Sequence, residues 1–330
     1  MKIVVLGNYK ELPTEGMEVI TNSIVNSLRE NSKIQLRTFS TREFIRSFFF
    51  LLFYQPHVFI FTHGPGKGVL VLSGLIRLFF SAKIIWIASR PSLSKLSPLI
   101  FKWTAVDFII GGRKTPEILK VMENRDVIYH ETVIGISLER VQSLKNQKKA
   151  YFLEKRVEVP FLLHVGHIRK NRGLENLIQI KQESPIEVDI LVLGSPSLSY
   201  DPEVLDAVKS AGVQVVREVV PDLHALYQMA DFYLFPVDPV LGGAVDLPLS
   251  ILEALHCKTP VITTPFGVTK KYLSKIEGVF FSDSNHFSQS VLEHIQSMNH
   301  CKVSVNPLPK EFDLKNLSNI IIDFLQVDEK

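Results

Sequence analysis

Four basic side chains crowd one short loop: His167, Arg169, Lys170 and Arg172, within the run FLLHVGHIRKNRGLENLI from Phe161 to Ile178. The apolar stretch before them stops at Gly166, and helical spacing begins near Gly173. A strand ending in glycine lets backbone approach a ligand closely, because glycine has no Cβ. The N–H groups and dipole of the following helix then favour an anion. Gly166, His167, Arg169, Lys170 and Arg172 together suit a diphosphate. The competing account is a basic loop that is merely solvated. Further along comes DLPLSILEALHCKTPVITT, Asp246 to Thr264, which puts Glu253 on a helix ahead of another buried strand. A carboxylate offers paired acceptor oxygens to neighbouring hydroxyls. The cationic loop and the distant Glu253 therefore describe a nucleotide diphosphate, phosphates at one end and ribose at the other. Asp246 stands just before Pro248, a residue suited to a first helical position. It either caps that helix or meets a sugar hydroxyl. Gly242 and Gly243 serve either close backbone approach or a plain turn.

These residues converge only if strands and helices come in a fixed order. In the first half, strands are expected at Ile3–Leu6, Ile34–Thr38, His57–Phe61, Ile84–Ala88 and Phe108–Ile110. Helices are expected at Glu18–Arg29, Phe44–Phe53 and Gly68–Phe80, with another between the last two strands. Residues 141–157, polar and basic, read as a linker. A second set of strands follows at Phe161–Val165, Ile186–Leu193, Val213–Arg217, Phe232–Phe235, Val261–Thr263 and Gly278–Phe281. Helices between them include Leu174–Lys181, Pro202–Ser210, Leu223–Ala230 and Pro248–Leu255. Near-continuous apolar strands alternating with helices mean parallel sheets covered on both faces. The expectation is an α/β chain of two doubly wound, Rossmann-like domains facing a cleft, with ligands at the carboxyl ends of strands.

Composition agrees with that plan. A length of 330 residues favours two domains, and 46% hydrophobic with 22% charged residues describes a globular chain. Cys257 and Cys301 cannot build a disulfide framework or a cysteine-based zinc site, so a reducing cytoplasm is the expected compartment. The opening MKIVVLGNYK reads as a strand, too short for the core of a signal peptide. Phe44–Phe61 is apolar but broken by Arg46, Gln55, Pro56 and His57; Val69–Trp86 is broken by Arg77 and Lys83. Neither supplies the roughly 20 clean residues of a membrane span. Net charge is +3, yet residues 1–150 hold 21 Lys/Arg against 11 Asp/Glu, and residues 151–330 hold 16 against 23. The basic half is expected to meet an anionic membrane surface or a lipid-linked phosphate, unless its charge is only solvated. Nucleic acid is not among the expected partners. The run FFFLLFY, Phe48 to Tyr54, is expected in the core rather than at a membrane, for want of a clean polar face.

Several stretches taken together resemble one family. MKIVVLG with EGMEVITNSIVNSL, and then VIGISLERV from Val133 to Val141, are similar to its first strand, glycine loop and helix and to its interdomain segment. LHVGHIRKNRG is similar to its phosphate loop, and LHALYQMADFYLFP, Leu223 to Pro236, to the helix and strand before its donor loop. PLSILEAL followed by PVITTPFG is the most specific piece. The chain, over nearly its whole length, resembles the retaining GT-B glycosyltransferases of the large family that includes bacterial mannosyltransferases and sucrose synthases. The tail EFDLKNLSNIIIDFL resembles that fold's last helix, which crosses back to the N-terminal domain.

The resemblance implies an acceptor domain at residues 1–150, a nucleotide-sugar domain at 151–310, and a returning helix at 311–330. It implies transfer of a sugar from a nucleotide-sugar donor to a hydroxyl of a glycan or lipid-linked acceptor, with retention at the anomeric carbon. Neither metal nor cofactor is implied beyond the nucleotide sugar itself. Arg172, with His167 or Arg169, would stabilise charge on the leaving diphosphate. Glu253 would take the ribose, and Asp246 and His63 would complete the catalytic set. Gly16, Leu247, Pro248 and Leu249 would add donor contacts. His63, Arg90, Arg113 and Lys114 follow strands of the first domain and would meet the acceptor; for His63 a structural role competes. Two departures stand out. Of the family's usual pair of glutamates Glu253 is the second, and Val245 stands where the first belongs, with Asp246 beside it. The usual phosphate-loop arginine is His167, and Arg172 takes the lysine position. Val245 makes a catalytically diverged nucleotide-sugar-binding scaffold the alternative. An epimerase would need an acid/base set that is not apparent, and LGNYKEL lacks the GxGxxG spacing of a nicotinamide dehydrogenase. The expected location is the cytoplasm, or the inner face of the plasma membrane as a peripheral protein.

Overall fold

The computed structural model describes residues 1–10, 15–64, 66–89, 98–137, 159–220, 223–238, 245–297 and 303–326. The linker expected at 141–157, Arg90, Gly242, Gly243 and Cys301 lie outside the described residues. Contacts divide the chain into two units, Met1–Gly135 with Glu311–Lys330, and Ile136–Lys310. Among the described residues each unit carries one six-stranded sheet.

The first unit runs β1 (Lys2–Leu6), α1 (Gly16–Arg29), β2 (Gln35–Phe39), α2 (Thr41–Arg46), α3 (Phe48–Tyr54), β3 (Val58–Gly64), α4 (Lys67–Phe79), β4 (Lys83–Ala88), α5 (Pro98–Trp103), β5 (Phe108–Gly111), α6 (Pro116–Asn124) and β6 (Ile128–Glu131). Its strands lie in the order β2-β1-β3-β4-β5-β6, all parallel. Ile3, Val4 and Val5 of β1 and Ile84 to Ile87 of β4 are all buried, as parallel strands covered on both faces must be. Helices α2 to α6 sit over one face, where Phe44, Leu51, Leu70, Phe101 and Ile118 join Phe59 and Trp86 in one core.

The second unit runs β7 (Phe161–Gly166), a 3-10 turn (Lys170–Arg172), α7 (Leu174–Glu183), β8 (Asp189–Gly194), α8 (Pro202–Ser210), β9 (Gln214–Val216), α9 (Leu223–Met229), β10 (Phe232–Phe235), α10 (Leu249–His256), β11 (Val261–Thr263), α11 (Thr269–Leu273), β12 (Val279–Phe281) and α12 (Phe287–Ser297). Its order is β12-β11-β10-β7-β8-β9, again all parallel. The chain travels outward from β7 to β9, then returns to the other side of β7 as β10. That reversal is a topological switch point, and the first sheet has its own between β1 and β3. A final helix, α13 (Lys315–Gln326), packs on α1 of the first unit. Phe324 stacks on Phe108 with ring centroids 4.2 Å apart. The return is tight at Gly135, where a Cβ would lie 1.9 Å from the Phe312 carbonyl oxygen.

Three elements differ from expectation. The helix expected at Phe44–Phe53 breaks at Ser47 (φ −94°, ψ 7°) into α2 and α3. A helix of one or two turns can aim few residues inward. In α3 Leu51 is buried and Phe48, Leu52 and Tyr54 pack against the core, but Phe49 and Phe53 face solvent, so FFFLLFY meets the expected core on one side only. The third is β6, an unexpected edge strand whose IYHE is mostly exposed and so carries no apolar signal.

Candidate active site

The second switch point is built from the end of β7 upward. His164 and Gly166 project from the same face of the strand, two residues apart. A Cβ at Gly166 would fall 2.8 Å from His164 Nε2, so glycine makes room for the ring. His164 is fully buried and its Nδ1 donates to the Leu234 carbonyl at 2.8 Å. Nε2 is thereby a bare acceptor, with no hydrogen-bond partner among the described residues. Burial holds the imidazole pKa down to about 4, and the charges of Arg172 and His167 push the same way, so it is neutral near pH 7.

The loop beyond is forced into shape by Gly173. Its φ of +66° is left-handed, and a Cβ there would meet the Pro236 carbonyl oxygen at 1.7 Å. This close approach presses the loop against the end of β10. Within the 3-10 turn the Arg172 N–H donates to the Arg169 carbonyl at 3.0 Å, and the Arg172 side chain is turned inward, 9% exposed. Burial lowers its pKa and Arg169 adds repulsion, while Tyr233 opposes; a guanidinium keeps its charge regardless. His167 is half-buried. Arg169 and Lys170 are engaged by the loop before α8 and by its first turn. Arg169 donates to the Ser199 hydroxyl at 2.9 Å, and Lys170 pairs with exposed Glu203 at 3.0 Å.

Glu253 reaches the same region from α10. Its Oε2 accepts from the Tyr227 hydroxyl of α9 at 3.2 Å. Burial and the Glu253 charge raise the Tyr227 pKa well above its usual value, so the phenol remains a donor. Tyr233 of β10 donates to the Val165 carbonyl at 3.0 Å. Burial raises its pKa too, with Glu253 raising and Arg172 lowering it. Both charged groups therefore lie within electrostatic reach of one buried ring. Neither His164, Tyr227 nor Tyr233 is conspicuous in the sequence. The one signal is a pair of polar aromatics inside the otherwise apolar LHALYQMADFYLFP.

In the donor segment α10 starts at Leu249 with Pro248 at its N-cap, so Pro248 precedes the first helical position. Asp246 is buried, and Gly267 (φ +53°) presses on it, with 2.3 Å from a notional Cβ to the Asp246 carbonyl oxygen. Leu247, Pro248 and Leu249 are buried, leaving backbone as what they offer a ligand.

The remaining candidates belong to the first unit. Gly16 is the exposed first residue of α1, where Glu15 and Glu18 form a capping box and Glu18 pairs with Lys10 at 2.5 Å. His63, near the end of β3, has Nδ1 2.7 Å from the Thr62 hydroxyl, which lies 2.8 Å from that of Thr21. Arg113 and Lys114 follow β5, and the Lys114 ammonium lies 5.3 Å from the Tyr129 ring centre. Among the described residues no three or more His, Cys, Asp or Glu are grouped to hold a metal ion.

No curated protein matches the chain by sequence. Among solved structures it is similar to sucrose-phosphate synthase from Thermosynechococcus elongatus, with TM-score 0.72 and 12% identity over 99% of this chain and 98% of that one. Anabaena HepE in complex with UDP-glucose gives TM-score 0.65 at 11% identity, covering 100% and 98%. UDP-GlcNAc 2-epimerase from Methanocaldococcus jannaschii gives 0.59 at 14%, covering 98% and 100%. At such identities the likeness carries the fold alone, the two-domain GT-B architecture, which serves both transfer and epimerisation. Residues 159–297 hold Arg172, Tyr227 and Glu253. They match the family described as Glycosyl transferases group 1.

Proposed function

We propose that the protein moves a sugar from a nucleotide-sugar donor to a hydroxyl of a glycan or lipid-linked acceptor, with retention at the anomeric carbon and without metal. The observation that supports this reading best is a buried Arg172 and a tyrosine-held Glu253, both within electrostatic reach of Tyr233 at the second sheet's switch point. Breaking the anomeric C–O bond builds negative charge on the leaving diphosphate. Arg172, half-buried His167 and the backbone bared by Gly166 would meet that charge already in place, favouring the transition state over the ground state. Glu253 would accept from the ribose hydroxyls, its rotamer held by Tyr227 so that little ordering remains to be done on binding. Asp246, beside Val245, would meet a hydroxyl of the donor sugar. The acceptor would lie against His63, Arg113, Lys114 and Arg90. HepE is seen with UDP-glucose, which makes that donor the first to try.

A nucleotide-sugar-binding scaffold without transfer is the second reading, favoured by Val245 at the place of the family's first glutamate. Thermal unfolding against a panel of nucleoside diphosphates and nucleotide sugars separates the outcomes, with Arg172→Ala and Glu253→Ala as controls. A ligand at a hundred times its dissociation constant adds about 2.7 kcal/mol to native stability. One base series should stabilise the wild type and neither variant. Stabilisation without release of nucleoside diphosphate on any glycan or lipid acceptor supports the scaffold. No stabilisation by any nucleotide sinks both readings.

A further inference from the structure

The outward faces of α3, α4 and α5 are apolar where a surface helix is ordinarily polar. Phe53 is 88% exposed, Phe49 76%, Leu78 62%, Trp103 61%, Phe79 56% and Val71 50%. These helices cover the same face of the first sheet, since Leu51, Leu70 and Phe101 join one core beneath them. Phe48 bridges α3 to Phe79 of α4, ring centroids 5.2 Å apart. Gly74 lets α5 close on α4, for a Cβ there would stand 2.3 Å from the Trp103 carbonyl oxygen. The exposed side chains thus form a contiguous patch rather than the scattered apolar residues of an ordinary surface.

Charge says what would cover it. From Phe44 to Val106 the sequence holds seven Lys/Arg and no Asp or Glu. Arg77 is paired with Asp107, just beyond that stretch. Arg46, Lys67 and Lys102 are exposed near the ends of α2, α4 and α5. A second copy packed symmetrically on this face would set these cations against themselves. An anionic bilayer offers both a hydrocarbon boundary and negative headgroups. We infer that this face docks on an anionic phospholipid surface, with Phe49, Phe53 and Trp103 entering the headgroup–acyl boundary and Arg46, Lys67 and Lys102 meeting lipid phosphates. No helix among the described residues is long and apolar enough to cross a membrane. The inference stands apart from the transfer reading, because its test reads binding and not turnover.

The test is co-sedimentation of the full chain with vesicles of phosphatidylcholine, alone or mixed with phosphatidylglycerol. The protein should partition onto the mixed vesicles, leave them at high salt, and bind phosphatidylcholine far more weakly. Lys67→Glu and Lys102→Glu should each weaken partition about five-fold or more. Phe49→Ser and Phe53→Ser should each weaken it roughly ten-fold. Both sites are on the surface, so the fold should hold, as circular dichroism would show. Val219→Ser, at an exposed apolar residue of the second unit, should change nothing. Equal binding to both vesicle types, or binding blind to the lysine changes, overturns the inference. So does a dimer that ignores vesicles and that Phe53→Ser splits into monomers, for the face would then belong to a second copy.

Discussion

β1 runs into α1 much as β7 runs into α7: each is an inner strand beside its sheet's switch point, followed by a loop and a helix. Either helix start is an attractive place for an anion. At α1 the chain supplies its own carboxylates, Glu15 and Glu18, with Lys10 paired to the latter. At α7 it supplies left-handed Gly173 and, just before it, buried Arg172. The strands differ as well. Two residues before its terminal glycine β7 buries His164, whereas two residues before Gly7 β1 buries Val5. One topology thus makes two similar helix starts, and a handful of side chains sets them apart: carboxylates at α1, a buried arginine at α7.

The largest effect should come from backbone. Gly173→Ala would need a positive φ and would drive a methyl into the Pro236 carbonyl, so it should destabilise by more than about 4 kcal/mol in chemical denaturation. Gly16→Ala, in the first turn of α1, should be neutral or stabilising by up to about 1 kcal/mol. Equal losses at the two glycines would break the contrast. Next comes charge. Arg172→Ala should weaken nucleoside diphosphate binding by roughly 3 kcal/mol, a factor above a hundred in calorimetric titration. Glu18→Gln should leave it unchanged, and a comparable loss there would move the anion site to the first unit.

The strand difference should appear as acid sensitivity. The folded pKa of His164, about 4, lies below its usual 6.5. Between those values the unfolded chain binds the extra proton, so stability is complete above 6.5 and falls as pH drops towards 4. The loss at pH 5 should be about 2 kcal/mol. In His164→Val, which copies β1, that part of the slope should vanish whatever the variant's stability at pH 7. The smallest effect is the hydroxyl of Tyr227. Tyr227→Phe leaves Glu253 in place without its 3.2 Å hydrogen bond, and should weaken donor binding by about 1 kcal/mol, some five-fold. A loss matching that of Glu253→Ala would mean that Tyr227 itself touches the ligand.

Much of this was open to reading along the chain. Strands such as KIVVL and FLLHVG are buried on both faces, so they appear as largely apolar runs, and glycine marks their ends. The basic loop and Glu253 could be singled out because their chemistry is concentrated in short motifs. The break at Ser47 could not, because the apolar run continues across it and local preference does not say where a sheet ends the helix above it. The outward turn of Phe49 and Phe53 was hidden for the same reason: apolar content shows on every face of a short helix, while burial depends on what lies opposite.

What the sequence determined alone is local: alternating strands and helices, a cationic loop framed by Gly166 and Gly173, and a carboxylate on a later helix. Each rests on residues that are near neighbours in the chain. What the tertiary structure decided is non-local. Tyr227 meets Glu253 across 26 positions, Gly173 meets the carbonyl of Pro236, and His164 meets that of Leu234, 70 residues away. The last two contacts exist because β10 returns to lie beside β7, and no pattern within either strand specifies that pairing. Packing alone turns Arg172 inward and leaves Arg169 and Lys170, its neighbours in the same loop, to Ser199 and Glu203.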